Sequence, residues 1–515
     1  MGKRTAVFAG LLALSTVAGL GTSAVAAGDP AVVRTDAGAL RGTVTEQVRT
    51  FQGVPYAAPP VGELRWRAPQ RVQPWTGVRD ATAPGSVCPQ EANPEAPNGS
   101  TNEDCLYLDV TTPTGGAKRK PVVVWTPGGG FFMGAGSNYG AARMAERGDA
   151  VVVTINYRLG IFGFYGQHGL PGSGTFGLQD QQAALRWVQR NIAAFGGDPG
   201  NVTMAGESAG GMSTCAQLTS PLSAGLFHRA IMQSGSCDFD WADASQYPGQ
   251  KAGSYWVPRD RIQADGDAMA AELGCASVDC LRARPAADLM SQFTRFTSSA
   301  TGTPVLPTDP GEALRDGRFH RVPVISGNNH DEARSYLTAF DGGKIDAAKY
   351  QELLVDMAGP EQAARIAAEY PLSAYESPAH AWAAVTTDRI WSCTQLSAGR
   401  KLAREVPVYA YEFADRHSPL AEMTPGPIPL GAAHAMELPY LFALGGIEFP
   451  LQPDQRRLSD QMIDYWTAFA RSGDPNGPGR PQWTPERALS LAPSGQGDIR
   501  PVDLAAEHHC GFWKP

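Results

Sequence analysis

The feature that most constrains this chain is the pentapeptide Gly206-Glu207-Ser208-Ala209-Gly210, set at a junction between two kinds of local pattern. Upstream, residues 201–205 (Asn-Val-Thr-Met-Ala) read as a short β-strand. Downstream, residues 209–218 are small and helix-compatible despite Gly210 and Gly211. A strand, a turn too tight for bulky neighbours and then a helix is the context in which a G-x-S-x-G serine is held out as a nucleophile. The pattern occurs once in the chain, and it predicts Ser208 at the carboxyl end of a strand with Gly206 and Gly210 making the close approach possible.

The surrounding sequence supplies the sheet such a turn needs. Runs at 121–125, 150–155, 201–205, 322–325 and 406–413 are β-branched or apolar and bounded by Gly or Pro, as strands covered on both faces should be. Residues 178–195 carry a helical pattern with Leu185, Val188 and Ile192 on one face, ended by Gly196-Gly197-Asp198-Pro199. Strands alternating with helices predict an α/β fold with a mostly parallel central sheet flanked by helices, and such sheets gather function at the carboxyl ends of their strands. No composition break, linker or repeat divides the 515 residues, so residues 27–515 are expected to form a single domain with long insertions.

Residues 1–26 read differently. Lys3 and Arg4 precede an apolar run at 6–14, and Ala24-Val25-Ala26 offers small residues for cleavage, which predicts a secretory signal peptide. The run is too short for a stable membrane span. Cleavage after Ala26 removes two positive charges and no negative ones, taking the net charge from -8 to -10. An acidic chain without basic clusters argues against a nucleic-acid partner. No other segment is long and apolar enough to cross a membrane, and nothing in the sequence sets an oligomeric state. Export makes the eight cysteines (88, 105, 215, 237, 275, 280, 393 and 510) disulfide candidates, although connectivity does not follow from sequence.

Serine alone is a weak nucleophile and requires a base, an acid that orients it and donors for a developing oxyanion. Gly128-Gly129-Gly130, just past the run ending at Trp125, can bring backbone N–H groups to a substrate oxygen, with the Ala209 N–H as a further donor. In a Ser, acid, His chain order the acid comes from His330-Asp331-Glu332, where either carboxylate qualifies. His434, in Gly431-Ala432-Ala433-His434-Ala435-Met436-Glu437, is the candidate base among nine histidines. His228 reads as a helix-surface residue, and His508 and His509 lie by the C-terminus. His330 with Asp331 and Glu332 lacks a second ligand group at usable spacing, so no metal site is expected.

Taken together, the motifs resemble the type-B carboxylesterases, the group that includes cholinesterases and bacterial para-nitrobenzyl esterases. The resemblance runs through Phe51-Gln52-Gly53-Val54-Pro55-Tyr56-Ala57, Glu103-Asp104-Cys105-Leu106-Tyr107-Leu108, Asn156-Tyr157-Arg158, Gly177-Leu178-Gln179-Asp180-Gln181, the Ser208 turn and Cys510-Gly511-Phe512-Trp513. It implies an α/β-hydrolase fold and an enzyme that hydrolyses small-molecule carboxylic esters through an acyl-enzyme without a cofactor, which the leader-like N-terminus would make a secreted one. It points to Ser208, Glu332 (not Asp331) and His434 as the catalytic triad, with Gly129, Gly130 and Ala209 as the oxyanion hole. It further implies the pairs Cys88–Cys105, Cys275–Cys280 and Cys393–Cys510, and leaves Cys215 and Cys237 as either free thiols or a fourth bond.

Three departures from the family pattern stand out. Pro127 replaces the His or Tyr that many relatives carry before the glycines, and Ala333 replaces the Gly that usually follows Asp-Glu. The 88–105 loop holds no aromatic residue, whereas cholinesterases place a tryptophan there to bind quaternary ammonium, so a cholinesterase is not expected. No amphipathic lid is evident, which favours soluble or short-chain esters over aggregated triglyceride. Segments 238–257 and 338–378 are the candidates for acyl and alcohol pockets. Non-catalytic members of the fold typically lack the serine or another triad residue, and here all three are present.

Overall fold

The structure, a computed structural model, describes residues 1–2, 29–115 and 118–513. The predicted signal segment therefore lies almost wholly outside the described residues. Among those residues no helix is long and apolar enough to cross a membrane.

Eleven strands build the main sheet. In chain order they are β1 (Thr43–Val44), β2 (Val48–Pro55), β3 (Tyr107–Pro113), β4 (Lys120–Thr126), β5 (Val151–Ile155), β6 (Gly197–Glu207), β7 (Arg229–Gln233), β8 (Val324–Asn329), β9 (Val408–Phe413), β10 (Ala488–Leu491) and β11 (Arg500–Val502). Their spatial order is β11-β10-β9-β8-β7-β6-β4-β5-β3-β2-β1. From β5 to β10 the pairings are parallel, and antiparallel strands close both ends. Both faces are covered, as a parallel sheet requires. Val122, Val124 and Met204 enter one core cluster, while Val123, Trp125 and Ala205, one residue out of phase, enter a second.

Register decides where the site can form. Gly206 pairs with Thr126 on one side, and Glu207 with Gln233 on the other. Gln233 in turn pairs with Gly327. The loops leaving β4, β6 and β8 therefore emerge together at one edge of the sheet.

Several boundaries shift from those expected, for local reasons. The run at 322–325 begins its ladder only at Val324, and that at 406–413 only at Val408, because Pro323 and Pro407 carry no N–H to donate. The helix expected at 178–195 spans Phe176–Asn191, and its last turn tightens to a 3-10 turn at Ile192–Phe195 before Gly196 closes it at φ 91°. His228 is not on a helix: it precedes β7, half-buried, where its ring Nδ1 accepts the Val202 N–H at 3.1 Å.

Two of the motifs meet in the fold. Arg158 donates to both oxygens of Asp180 at 2.7 and 2.8 Å, and both side chains are fully enclosed. Removing one partner from such a pair strands a buried charge at a cost of about 3–5 kcal/mol. These motif residues carry architecture, not chemistry.

All eight cysteines are paired: Cys88–Cys105, Cys215–Cys237, Cys275–Cys280 and Cys393–Cys510. The Cys215–Cys237 bond resolves the alternative left open by sequence. It joins the helix after the serine turn, Ala209–Thr219, to the loop leaving β7.

Candidate active site

Ser208 follows β6 directly and holds φ 56° and ψ -123°, a conformation that costs on the order of 1–3 kcal/mol for a residue with a side chain. The surrounding packing enforces it. A Cβ on Gly206 would stand 2.5 Å from the Gly210 carbonyl carbon, and one on Gly210 would stand 2.0 Å from Thr126 O. Gly235 is similarly confined, 2.3 Å from Ser208 O. The Ser208 N–H donates to Gln233 O at 2.9 Å, which fastens the turn to the neighbouring strand.

Glu332 and His434 come together on the next loops. Glu332 Oε2 lies 2.6 Å from His434 Nδ1, and its Oε1 accepts the Asn329 N–H at 2.8 Å. The carboxylate is fully buried, while the imidazole keeps 13% exposure. The other ring nitrogen, Nε2, stands 3.2 Å from Glu207 Oε1. No hydrogen bond from Ser208 Oγ is formed among the described residues. Burial alone would lower the imidazole pKa, but Glu207 and Glu332 outweigh it and push it up to about 9. Burial raises the Glu207 carboxyl well above the usual range; the His434 charge opposes this, and Glu437 and Glu332 add to it. The two groups are close enough to influence each other's charge, although no hydrogen bond joins them and, among the described residues, Glu207 Oε1 has no hydrogen-bond partner.

Glu437 completes a buried carboxylate group behind the ring. Its oxygens accept from Gln233 Nε2 at 2.9 Å and Asn329 Nδ2 at 2.7 Å, and Gln233 Oε1 accepts from Trp466 Nε1 at 2.8 Å. Glu207, Glu437, Gln233 and Asn329 were not singled out in the sequence. Their signal was available: Glu207 and Glu437 are charges inside otherwise apolar or small-residue stretches, immediately before the serine and three residues after the histidine.

The glycine loop lies against the serine turn. A Cβ on Gly128 would meet Ser208 Cβ at 3.1 Å, and Gly129 and Gly130 adopt φ 92° and 58°. Among the described residues the N–H groups of Gly129, Gly130 and Ala209 make no hydrogen bond. Backbone donors left unpaired beside a buried serine suit an incoming oxyanion. Pro127 is fixed from outside the loop, its carbonyl accepting from Tyr157 Oη at 3.1 Å. Gln90 fixes the far side, donating to Gly134 O at 3.1 Å and accepting from Gly134 N at 3.0 Å.

Aromatic side chains wall the imidazole. The Trp391 ring centroid is 4.4 Å from that of His434, Tyr336 is 6.1 Å away, and Phe239 and Trp241 pack on Trp391 at 4.6 and 5.7 Å. Trp241 lies in segment 238–257, expected to build a pocket; Trp391 and Tyr336 fall outside both expected segments and were missed. The remaining histidines stand apart. His508 is buried between Asp388 and Glu412, and His330 between Asp331 and Glu507. Among the described residues no group of three or more His, Cys, Asp or Glu side chains could hold a metal ion.

The model of the carboxylesterase family matches residues 29–494. The chain belongs to that family. It is 35% identical to the para-nitrobenzyl esterase of Bacillus subtilis (strain 168) over 475 residues, covering 86% of this chain and 90% of that one. It is 34% identical to the cocaine esterase of Homo sapiens over 511 residues, covering 91% and 87%. Among solved structures, a thermophilic PNB esterase superposes with a TM-score of 0.77 at 29% identity, covering 94% of this chain and all of that one. This carboxylesterase has the α/β-hydrolase fold and is a carboxylic ester hydrolase.

Proposed function

We propose that this carboxylesterase acts through a Ser208–His434–Glu332 triad and is an exported single-domain enzyme for soluble or short-chain esters. The observation that carries the triad is the 2.6 Å contact of Glu332 with His434 Nδ1 on loops beside the strained Ser208 turn. Glu332 fixes the tautomer and stabilises the charged ring, leaving Nε2 to handle the proton.

Ser208 Oγ attacks the ester carbonyl as its proton passes to Nε2. The Gly129, Gly130 and Ala209 N–H groups hold the oxyanion. Collapse breaks the bond to the alkoxy oxygen, which takes the Nε2 proton and leaves as the alcohol. Water then attacks the acyl carbon as its proton passes to Nε2, and collapse breaks the bond to Ser208 Oγ, which takes that proton back as the acid leaves. No cofactor enters these steps. Export is supported by the leader-like residues 1–26 and by four disulfides, which persist in oxidising compartments.

Phosphonate labelling of the purified protein tests the nucleophile: the parent is labelled stoichiometrically and Ser208→Ala is not. Equal labelling of the variant would end the assignment. A chain-length series of nitrophenyl esters tests the substrate class, with a maximum expected at short acyl chains. Activity that rose only above the substrate's solubility limit would count against it.

A further inference from the structure

Resting on the triad reading above, we propose that Asp331 is a positioning residue that locks the acid loop to the histidine loop and so sets the Glu332–His434 separation. The two loops run side by side for three residues. Asn329 Nδ2 donates to Ala433 O at 2.7 Å, the Asp331 N–H to Ala432 O at 2.9 Å, and the His434 N–H to Glu332 O at 3.2 Å. Asp331 adds a tie from its charged side chain to the histidine loop's backbone, its Oδ2 accepting the Ala432 N–H at 3.1 Å. Backbone and side chain of a single residue thus grip both polar groups of Ala432.

The fold makes room for this carboxylate and holds it charged. Gly431 has φ 64°, and a Cβ there would stand 2.5 Å from Asp331 Oδ2. Arg334 and Arg416 approach the carboxylate at 2.9 and 3.3 Å, and His330 Nδ1 at 3.1 Å. These are the charged groups facing it from its own loop and from the loop after β9. Glu507, from the C-terminal segment, holds the far side of His330 at 3.3 Å. With its side chain 6% exposed, Asp331 is enclosed on every side by donors. None of them touches the serine, so any effect on turnover passes through Glu332 and His434. A carboxylate–imidazole contact misplaced by about 1 Å costs on the order of 100-fold in rate.

Kinetics of Asp331→Ala and Asp331→Asn on a nitrophenyl ester, with thermal unfolding measured in parallel, test the proposal. Asp331→Ala keeps the backbone tie but loses the side-chain one, and should lower kcat by about 10- to 100-fold with KM changed less than about two-fold. Its kcat/KM profile should rise at lower pH than the parent's, because a loosened Glu332 raises the imidazole pKa less. Asp331→Asn keeps an oxygen for the Ala432 N–H and should recover kcat to within about five-fold of the parent. An alanine variant that keeps parental kcat, or that loses activity through KM alone, overturns the proposal. If the alanine variant does not fold, the asparagine variant decides: kcat near the parent supports the tie, and a collapse to the level of Glu332→Gln refutes it. Failure of the triad reading looks different, since Glu332→Gln and His434→Ala would then keep activity whatever Asp331 does.

Discussion

His434 Nε2 stands 3.2 Å from Glu207 Oε1, so the nitrogen proposed to receive the serine proton faces a buried carboxyl. Its proximity bears on when Nε2 is free, because its charge favours the protonated ring. The ring loses its proton as pH rises through a pKa pushed up to about 9, so kcat/KM should climb over that range instead of near the ordinary imidazole value of about 6.5. Glu207→Gln removes the anion that favours imidazolium, and its profile should move to lower pH. A pH–rate series on both proteins checks this; an unmoved profile would separate Glu207 from the base.

The glycine loop offers a second test. Gly129 sits at φ 92°, and a Cβ there would stand 2.3 Å from Met133 O. Gly129→Ala must therefore move the loop and its N–H groups. We expect kcat to fall about 10²- to 10³-fold, the range for loss of an oxyanion donor, with phosphonate labelling of Ser208 slowed in parallel. Retention of full kcat would remove this loop from the oxyanion hole.

Stability carries its own pH signature through His508. Burial alone would lower its pKa, but Asp388 at 2.7 Å and Glu412 outweigh it and push it up to about 10. A pKa raised above the unfolded value of about 6.5 contributes stability that is complete below about pH 6.5 and is lost as pH rises through about 10. Thermal unfolding of the parent and of His508→Gln at pH 6 to 10 should show a gap in Tm that narrows as pH rises. A gap that stayed constant would mean the imidazole is neutral in the fold.

The disulfides should differ in weight according to the loops they close. Cys393–Cys510 spans 117 residues and Cys275–Cys280 only 5, which in the chain-entropy model correspond to about 5 and about 2 kcal/mol. Replacing the pair Cys393 and Cys510 by serine should lower Tm more than replacing Cys275 and Cys280. Equal losses would place the stabilisation in the folded state, not in the unfolded chain.

Sequence was informative where chemistry demanded a local pattern. The serine turn needs Gly206 and Gly210 in contact, and the oxyanion loop needs consecutive glycines, so both could be read from neighbours along the chain. Of the sheet, five strands showed as apolar runs, with Pro323 and Pro407 shortening two of them, while the central strand Arg229–Gln233 and the outer strands carried no such run and were missed. Preferring Glu332 to Asp331 as the proposed acid needed family likeness, because adjacent carboxylates differ only in the direction the loop turns them. Tertiary assembly stayed hidden. Glu207, Trp391 and Tyr336 reach His434 from three separate stretches of chain, and no spacing rule links them to it.

Gln90 gives the 88–105 loop a meaning beyond cross-linking. Its side chain holds both backbone polar groups of Gly134, at the end of the glycine loop, and the Cys88–Cys105 bond holds Gln90. Reduction of that bond would free one wall of the oxyanion loop while leaving the sheet and the other bridges in place. Replacing Cys88 and Cys105 by serine should therefore slow turnover out of proportion to the Tm it costs, making that bridge a part of the site as much as of the scaffold.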